Sequence, residues 1–206
     1  MQKIGLIDYG MGNIHSVKKA IESLGEEVLL IRKKSQIVNC KALIVPGQGS
    51  FDPAIENLYQ TGLIEEIKAW INQGNSFLGI CLGLQILFER SDEGRKKGIG
   101  LIEGEIKKIP FIKDQRIPHI GWCNLVPNKD SKLINKEEIN RWVYFDHSYY
   151  ASPKDKNLIK ASVEYGPINL TAIIEYENLL ACQFHPEKSG KIGQSILYKW
   201  LQTIKD

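Results

Sequence analysis

The first half of the chain alternates short, continuous apolar runs with longer stretches of helical periodicity. The apolar runs at 4–7, 28–31, 42–45 and 77–80 predict buried strands. Continuous apolar strands that alternate with amphipathic helices favour a parallel sheet covered by helices on both faces. The first predicted helix has Asn13 as its cap and carries Ile14, Val17, Ile21 and Leu24 on one face. The second starts with Asp52 as its cap and Pro53 in its first turn. Two further helices are predicted along Leu63–Ile71 and over Leu84–Phe88.

The second half of the chain is richer in alternating apolar and polar positions, a pattern typical of strands. The predicted strands span 99–109, 117–126, 142–145, 158–163, 171–174 and 179–184, and a last helix covers about 192–204. The pattern contains no linker, repeat or low-complexity segment. We therefore expect one α/β domain over residues 1–206, with a mainly parallel sheet and additional antiparallel strands in its second half.

Composition narrows the class of protein further. The 206 residues are 43% apolar and 25% charged, and the net charge of +3 is scattered in short runs, which argues against nucleic-acid binding. No signal-peptide pattern opens the chain, and no apolar run approaches the ~20 residues that span a bilayer. The four cysteines lie far apart and predict neither a zinc site nor a disulfide. These features predict a cytoplasmic protein with reduced thiols.

The segment Gly79-Ile80-Cys81-Leu82-Gly83 lies between a predicted strand and a predicted helix. Gly-x-Cys-x-Gly in that position is the cysteine form of a nucleophile elbow, a sharp turn that exposes the central side chain. The N-terminus of the following helix would favour a thiolate at Cys81. The alternative is that Cys81 is a small buried hydrophobe, because free cysteine is usually buried.

Three turns that contain glycine follow predicted strands of the first half, at 8–13, at 46–49 and at Cys81. Because reactive groups of parallel sheets lie at the carboxyl ends of the strands, we expect the three turns to meet at one edge. The first turn lacks the third glycine and the downstream lysine of a phosphate-binding loop.

The segment Gln183-Phe184-His185-Pro186-Glu187 leaves the last predicted strand. Pro186 biases His185 toward an extended conformation, which places His185 and Glu187 on one side of the chain. A carboxylate there can fix the tautomer of the imidazole and leave its other nitrogen for a nucleophile. Taken alone, the segment is also compatible with a strand-end histidine beside a surface glutamate. Together with Cys81 it has the layout of a Cys-His-Glu triad.

The chain resembles class I glutamine amidotransferases, and among them the glutaminase subunits of imidazole glycerol phosphate synthases. The elbow and the His-Pro-Glu segment carry the resemblance to the superfamily. The matches that point to the synthase subunits are the segments at 8–13, 118–122 and 188–190.

This resemblance implies that Cys81 attacks the side-chain amide of glutamine, that His185 transfers the proton and that Glu187 orients His185. It implies an oxyanion site formed by the backbone of Gly47, Gln48, Gly49 and Leu82. It also assigns contacts with glutamine to Gly49, Gln85, Glu93, Ser148 and Tyr149, with Glu93 facing the ammonium group. No cofactor or metal is implied.

The family's partner is a (β/α)8-barrel cyclase subunit, which uses the ammonia to form imidazole glycerol phosphate and an aminoimidazole carboxamide ribotide. The resemblance places Trp122, Tyr144 and Lys188 at the interface of this heterodimer, although two core aromatic residues and a surface lysine would give the same pattern. Three positions depart from the usual family pattern, namely Gln48, Cys123 and Asp146.

Three other functions are alternatives for a chain with these residues. A paralogous glutaminase would feed ammonia to a sugar-modifying partner, and the neighbouring genes would discriminate it. A catalytically silent scaffold is disfavoured by the intact triad. A cysteine peptidase or other amide hydrolase is disfavoured by Gln85 and Glu93, which suit a free amino acid.

Overall fold

The computed structural model describes residues 2–135, 137 and 140–204. The two ends of the predicted domain, Met1 and Asp206, therefore lie outside the described residues. The helices of this part of the chain are α1 (Ile14–Glu22), α2 (Phe51–Thr61), α3 (Ile64–Asn72), α4 (Leu82–Gln85) and α5 (Gly190–Leu201). The strands are β1 (Lys3–Ile7), β2 (Val28–Ile31), β3 (Cys40–Val45), β4 (Ser76–Ile80), β5 (Phe88–Ser91), β6 (Ile102–Lys108), β7 (His119–Asn124), β8 (Val126–Pro127), β9 (Trp142–His147), β10 (Tyr149–Pro153), β11 (Ile159–Tyr165), β12 (Ile168–Tyr176) and β13 (Leu179–Cys182).

The main sheet has eight strands in the order β2-β1-β3-β4-β13-β12-β11-β8. Its first five strands are mutually parallel, and the remaining three extend it in antiparallel pairs. A three-stranded sheet, β10-β6-β5, and a two-stranded ribbon, β7-β9, complete the strands. This arrangement confirms the predicted mainly parallel sheet with additional antiparallel strands.

Helices cover both faces of the main sheet. On one face, α1 and α5 pack Val17, Ile21 and Trp200 against the strands. On the other, α2 and α3 pack Phe51 and Ile67. Because both faces are buried, strands β1, β3 and β4 are almost wholly apolar, as a covered parallel sheet requires. Among the described residues, no helix is long and apolar enough to cross a membrane.

The predicted helix over Leu84–Phe88 is wrong. Only the four residues of α4 are helical, and Phe88 begins β5. The backbone carbonyls of Ile86 and Leu87 accept hydrogen bonds from the amides of Ile99 and Leu101, so the chain after α4 pairs with the segment that leads into β6. A short apolar run that is buried on all sides has no periodicity that separates a helix from a strand.

Asp52 is not the cap of its helix. Helix α2 begins at Phe51, with Ser50 at the cap position, and the carboxylate of Asp52 accepts hydrogen bonds from the backbone amides of Arg95 and Lys96. The cap of α1 is as predicted, since Asn13 Oδ1 accepts a 3.1 Å bond from the Ser16 amide. Strand β10 is an element that the sequence pattern does not predict, and a break at Leu125 divides the predicted strand 117–126 into β7 and β8. The ends of other elements are shifted.

Candidate active site

Cys81 follows β4 directly and has a φ of +54° and a ψ of −109°. A positive φ is costly for a residue with a side chain, and such strain is found at nucleophile elbows. The flanking glycines permit a close approach of the backbone. A Cβ atom at Gly83 would lie 1.8 Å from the carbonyl oxygen of Val45, and one at Gly79 would lie 2.8 Å from the carbonyl oxygen of Gly83. The strained residue is therefore the nucleophile candidate itself, while Gly79 and Gly83 keep the turn close to the neighbouring strand.

The three glycine-containing turns meet at one edge of the sheet, as the sequence predicts. A Cβ atom added at Gly12 would lie 3.0 Å from the Cα atom of Gly47, and one added at Gly47 would lie 2.7 Å from the Cβ atom of Leu82. The Tyr9 hydroxyl donates a 2.8 Å hydrogen bond to the Pro46 carbonyl, which ties the first turn to the second. Burial, together with the nearby Cys81 sulfur, raises the pKa of this hydroxyl, so it remains a donor.

His185 and Glu187 follow β13, the strand next to the elbow. Strands β4 and β13 are paired, and the amide of Cys81 donates a 2.8 Å hydrogen bond to the carbonyl of Cys182. His185 Nδ1 is 2.8 Å from Glu187 Oε1, and both side chains are almost fully buried. Pro186–Lys188 forms a 3-10 turn, so the carboxylate reaches the ring from a turn and not from an extended strand.

The other nitrogen of the ring, His185 Nε2, is buried and has no hydrogen-bond partner among the described residues. Burial by itself lowers the pKa of His185, but the neighbouring Cys81 sulfur and the Glu187 carboxylate outweigh it and raise the pKa well above the ordinary value. The structure thus brings Cys81, His185 and Glu187 together as a nucleophile candidate, a base candidate and a carboxylate that orients the base.

Cys81 opens onto a cavity of about 370 Å³. The cavity carries polar groups that suit a small zwitterion, because it combines acceptors, backbone amides and the carboxylate of Glu93, and Asp146 also lines it. The sequence-predicted residues that line it are Gln48, Gly49, Leu82, Gln85, Glu93, Ser148 and Tyr149.

Gln85 is held firmly beside the nucleophile. Its Nε2 donates to the carbonyl of Tyr149 at 3.0 Å and to Gln183 Oε1 at 3.2 Å. Both hydrogens of the amide are used in these two bonds, so Gln85 offers a ligand only its oxygen. Gln183 Nε2 in turn lies 3.7 Å from the Cys81 sulfur.

Glu93 supplies a carboxylate to the cavity. Its Oε2 accepts a 2.9 Å hydrogen bond from the Phe51 amide at the N-terminus of α2, a position that favours negative charge. Burial and the negative charges of Glu93 and Asp92 raise the pKa of the Tyr149 hydroxyl. The arrangement can bind an ammonium group.

Gln48 and Gly49, in the turn that begins with Gly47, border the same cavity. Gly49 has a φ of +109°, a conformation that glycine adopts without strain. Gly47 is buried between Tyr9 and Leu82 and has no room for a side chain. Leu82 begins α4, and the first amides of a helix have no acceptor within the helix. Backbone amides are therefore available close to the nucleophile.

Trp122, Tyr144 and Lys188 form one surface outside the cavity. Trp122 and Tyr144 are paired across β7 and β9 with ring centroids 6.0 Å apart, and Lys188 Nζ lies 5.8 Å from the centre of the Tyr144 ring. The predicted alternative of core aromatic residues fails for Trp122, which is 50% exposed.

Sequence reasoning missed several residues at the site. Ile120 and Trp142 share the exposed outer face of the ribbon with Trp122, and strand alternation contained that signal. The sequence prediction includes Gln183 only as part of the segment Gln183–Glu187. No sequence pattern indicates the contacts of Gln183 with Gln85 and Cys81. In the part of the chain that the structure describes, no group of three His, Cys, Asp or Glu side chains could hold a metal ion.

Comparison of the sequence with known proteins identifies a family of glutamine amidotransferases. Residues 5–203 match the family "Glutamine amidotransferase class-I". The chain is 62% identical to "Imidazole glycerol phosphate synthase subunit HisH" of Prochlorococcus marinus subsp. pastoris over the full length of both, and 48% identical to the protein of that name from Synechococcus sp. (strain CC9902) over 98% of this chain and 94% of the relative.

Solved structures give the same fold. A crystal structure described as a glutamine amidotransferase is 20% identical, with a TM-score of 0.74 over 97% of each chain. The structure of PurLQS from Thermotoga maritima is 19% identical, with a TM-score of 0.74 over the whole of both chains. On the family match and the full-length identity, the chain belongs to the class-I glutamine amidotransferases and, within them, to the family of HisH subunits of imidazole glycerol phosphate synthase.

Proposed function

We propose that this chain is the glutaminase subunit of an imidazole glycerol phosphate synthase and acts in histidine biosynthesis. It hydrolyses glutamine to glutamate and ammonia and delivers the ammonia to a synthase partner. Family membership supports the class of reaction. The observation that carries the proposal is the strained Cys81 beside the buried His185–Glu187 pair, at a cavity that Glu93 lines.

The reaction proceeds by acyl transfer to sulfur. Cys81 gives its proton to His185 Nε2, and its sulfur attacks the side-chain carbonyl carbon of glutamine. The carbon–nitrogen bond then breaks, and His185 passes the proton to the leaving ammonia. The raised pKa of His185 in the resting site favours the transfer of the Cys81 proton to the ring. Water, deprotonated by His185, finally attacks the thioester and releases glutamate and the free thiol.

The oxyanion that forms during each attack is held by backbone amides. We assign this role to Leu82 and to the segment Gly47-Gln48-Gly49, because Leu82, Gln48 and Gly49 border the cavity and Gly47 packs against Leu82. A well-placed donor of this kind contributes about 3 kcal/mol to the stabilisation of the transition state. Gln48 replaces the small apolar residue usual in the family, and its position at the cavity makes it a candidate for setting the basal rate.

The cavity selects free glutamine by its α-amino and α-carboxylate groups. Glu93 pairs with the ammonium group, and the oxygen of Gln85 adds a second acceptor. Gly49, Ser148 and Tyr149 complete the contacts with the substrate. A peptide substrate lacks the free ammonium group, and so Glu93 would face it without a partner.

Ammonia protonates in water, so the product is useful only if it passes directly to a second active site. We propose that the surface formed by Trp122, Tyr144 and Lys188 docks a (β/α)8-barrel cyclase subunit in a heterodimer, as the resemblance implies. The whole chain, residues 1–206, would act as one glutamine amidotransferase domain. It would belong to a cytoplasmic complex that has lyase activity.

The test is glutamate release by the chain alone, with the barrel partner, and with the partner and its ribotide ligand. We expect a low rate alone and a strong increase with partner and ligand. Cys81→Ala should release no glutamate in any condition, whereas Cys40→Ala, at a buried cysteine of β3 away from the cavity, should match the unsubstituted chain. Glutamate release by Cys81→Ala, or equal rates with and without the partner, would contradict the proposal.

A further inference from the structure

The inner face of the β7-β9 ribbon carries a buried histidine pair that the hydrolysis mechanism does not use. His119 Nδ1 lies 3.1 Å from His147 Nε2, and both side chains are buried. His119 stacks on Phe145 with ring centroids 4.9 Å apart. Two titratable rings that are buried in contact with each other need a definite proton arrangement, because an unpaired donor or acceptor there is costly.

The partners at the two ends of the pair fix that arrangement. His147 Nδ1 lies 2.9 Å from the carbonyl oxygen of Tyr149, which can only accept a hydrogen bond. His147 therefore carries its proton on Nδ1 and accepts at Nε2 from His119. His119 in turn carries its proton on Nδ1, and its Nε2 accepts from the Cys123 thiol 3.1 Å away.

Burial keeps all three groups in the protonation states that this chain of bonds needs. It lowers the pKa of His119 to about 4 and, despite the bond to Tyr149, the pKa of His147 to about 3, so both rings are neutral at physiological pH. Burial also raises the pKa of Cys123, so the thiol retains its proton as a donor.

The chain of bonds ends at the substrate cavity. The Tyr149 carbonyl that accepts from His147 also accepts from Gln85 Nε2 at 3.0 Å, and Gln85 continues through Gln183 toward the Cys81 sulfur. Any shift of the Tyr149 carbonyl would therefore move the amide of Gln85. The outer face of the same two strands carries Trp122 and Tyr144, so the chain of bonds runs directly behind the proposed partner surface.

We propose that His119 and His147 are positioning residues for the glutamine site. As a neutral pair with both protons on Nδ1, they direct a chain of hydrogen bonds from Cys123 to the Tyr149 carbonyl. This chain holds Gln85 in its binding position. The proposal rests on the glutaminase function above and adds to it two residues of the ribbon, of which His147 also lines the cavity. Because the pair acts on a binding residue, its loss raises KM for glutamine and leaves kcat nearly unchanged.

The first test reads the protons directly. Two-bond 15N–1H NMR spectra of the histidine-labelled full chain report which ring nitrogen carries the proton. We expect the Nδ1–H form for both His119 and His147. The Nε2–H form at either ring would overturn the proposal, whatever the enzyme's activity.

The second test compares matched variants in the complex with the barrel partner. The side-chain amide of His147→Asn can still donate to the Tyr149 carbonyl, and its KM should stay within about threefold of the unsubstituted chain. His147→Leu removes the donor and should raise KM roughly tenfold, the cost of about one buried hydrogen bond, with kcat within about threefold. Equal KM values for the two variants would overturn the proposal.

The third comparison needs no change at a fully buried ring. Cys123→Ser keeps a donor for His119, and Cys123→Ala removes it, so only the alanine variant should raise KM, by roughly threefold. These results are separable from failure of the proposed function, because that failure appears in the unsubstituted chain and in Cys81→Ala. If His147→Leu does not fold, the NMR result and the Cys123 pair still decide.

Discussion

The Phe51 amide donates a 2.9 Å hydrogen bond to Glu93 Oε2, so the only carboxylate assigned to substrate binding also closes the N-terminus of α2. One side chain thus links the stability of a helix to the charge of the cavity. The two roles are separable, because the hydrogen bond needs an acceptor whereas an ammonium group needs a charge.

Glu93→Gln separates them. The amide oxygen still accepts from Phe51, so the melting temperature should change little, but the negative charge is lost. A charge-assisted hydrogen bond contributes about 1.5–3 kcal/mol, and we therefore expect KM for glutamine to rise roughly tenfold to a hundredfold. Steady-state kinetics and thermal unfolding of the same samples measure the two effects. An unchanged KM would show that Glu93 does not bind the ammonium group.

Asp52 and Gly94 set the position of the loop that carries Glu93. Asp52 accepts hydrogen bonds from the amides of Arg95 and Lys96, and a Cβ atom at Gly94 would lie 2.0 Å from Asp52 Oδ1. We expect Gly94→Ala to displace the loop and raise KM. In Asp52→Ala the obstacle is absent, so adding Gly94→Ala to it should have a much smaller effect. Kinetics of the four proteins measure this coupling, and additive effects would show that the two residues act separately.

The ionisation of His185 depends on its two neighbours. The Cys81 sulfur and the Glu187 carboxylate raise its pKa in the folded chain above the unfolded value of about 6.5. The resulting stabilisation is therefore complete below pH ~6.5 and is lost as the pH rises through the folded pKa. NMR titration of labelled histidine should give a lower pKa for His185 in Cys81→Ala and in Glu187→Gln than in the unsubstituted chain. The same pKa in all three proteins would mean that neither neighbour holds the proton on the ring.

The exposed aromatic residues of the ribbon provide a test of the partner surface. Trp122→Ala and Tyr144→Ala should each weaken binding of the barrel subunit by at least about tenfold, because aromatic anchors dominate interface energies. Tyr59→Ala, at a 75% exposed tyrosine of α2, is the matched control and should bind normally. Calorimetric titration of the partner measures all three. Equal affinity for all would place the interface elsewhere.

The sequence predicted the sheet and the meeting of its three turns, because continuous apolar runs and glycine positions encode both. It predicted the wrong element after the elbow, since the buried residues Ile86 and Leu87 have no polar side that marks a helix or a strand. The sequence also predicted that Asp52 caps its own helix, whereas its carboxylate accepts hydrogen bonds from amides about 40 residues away in the chain. The contacts of Gln183 and the proton arrangement of the histidine pair depend on tertiary packing and have no local pattern.

The central claim is that Cys81 forms a covalent bond with the glutamyl group of the substrate. The most direct measurement is mass spectrometry of the complex after acid quenching during turnover, followed by peptide mapping. The account predicts a glutamyl thioester on the peptide that contains Cys81, and none in Cys81→Ala. The account would be contradicted by a glutamyl group on Cys40, Cys123 or Cys182. It would also be contradicted by rapid release of glutamate without a thioester on any peptide, under conditions that trap a thioester on a reference cysteine glutaminase.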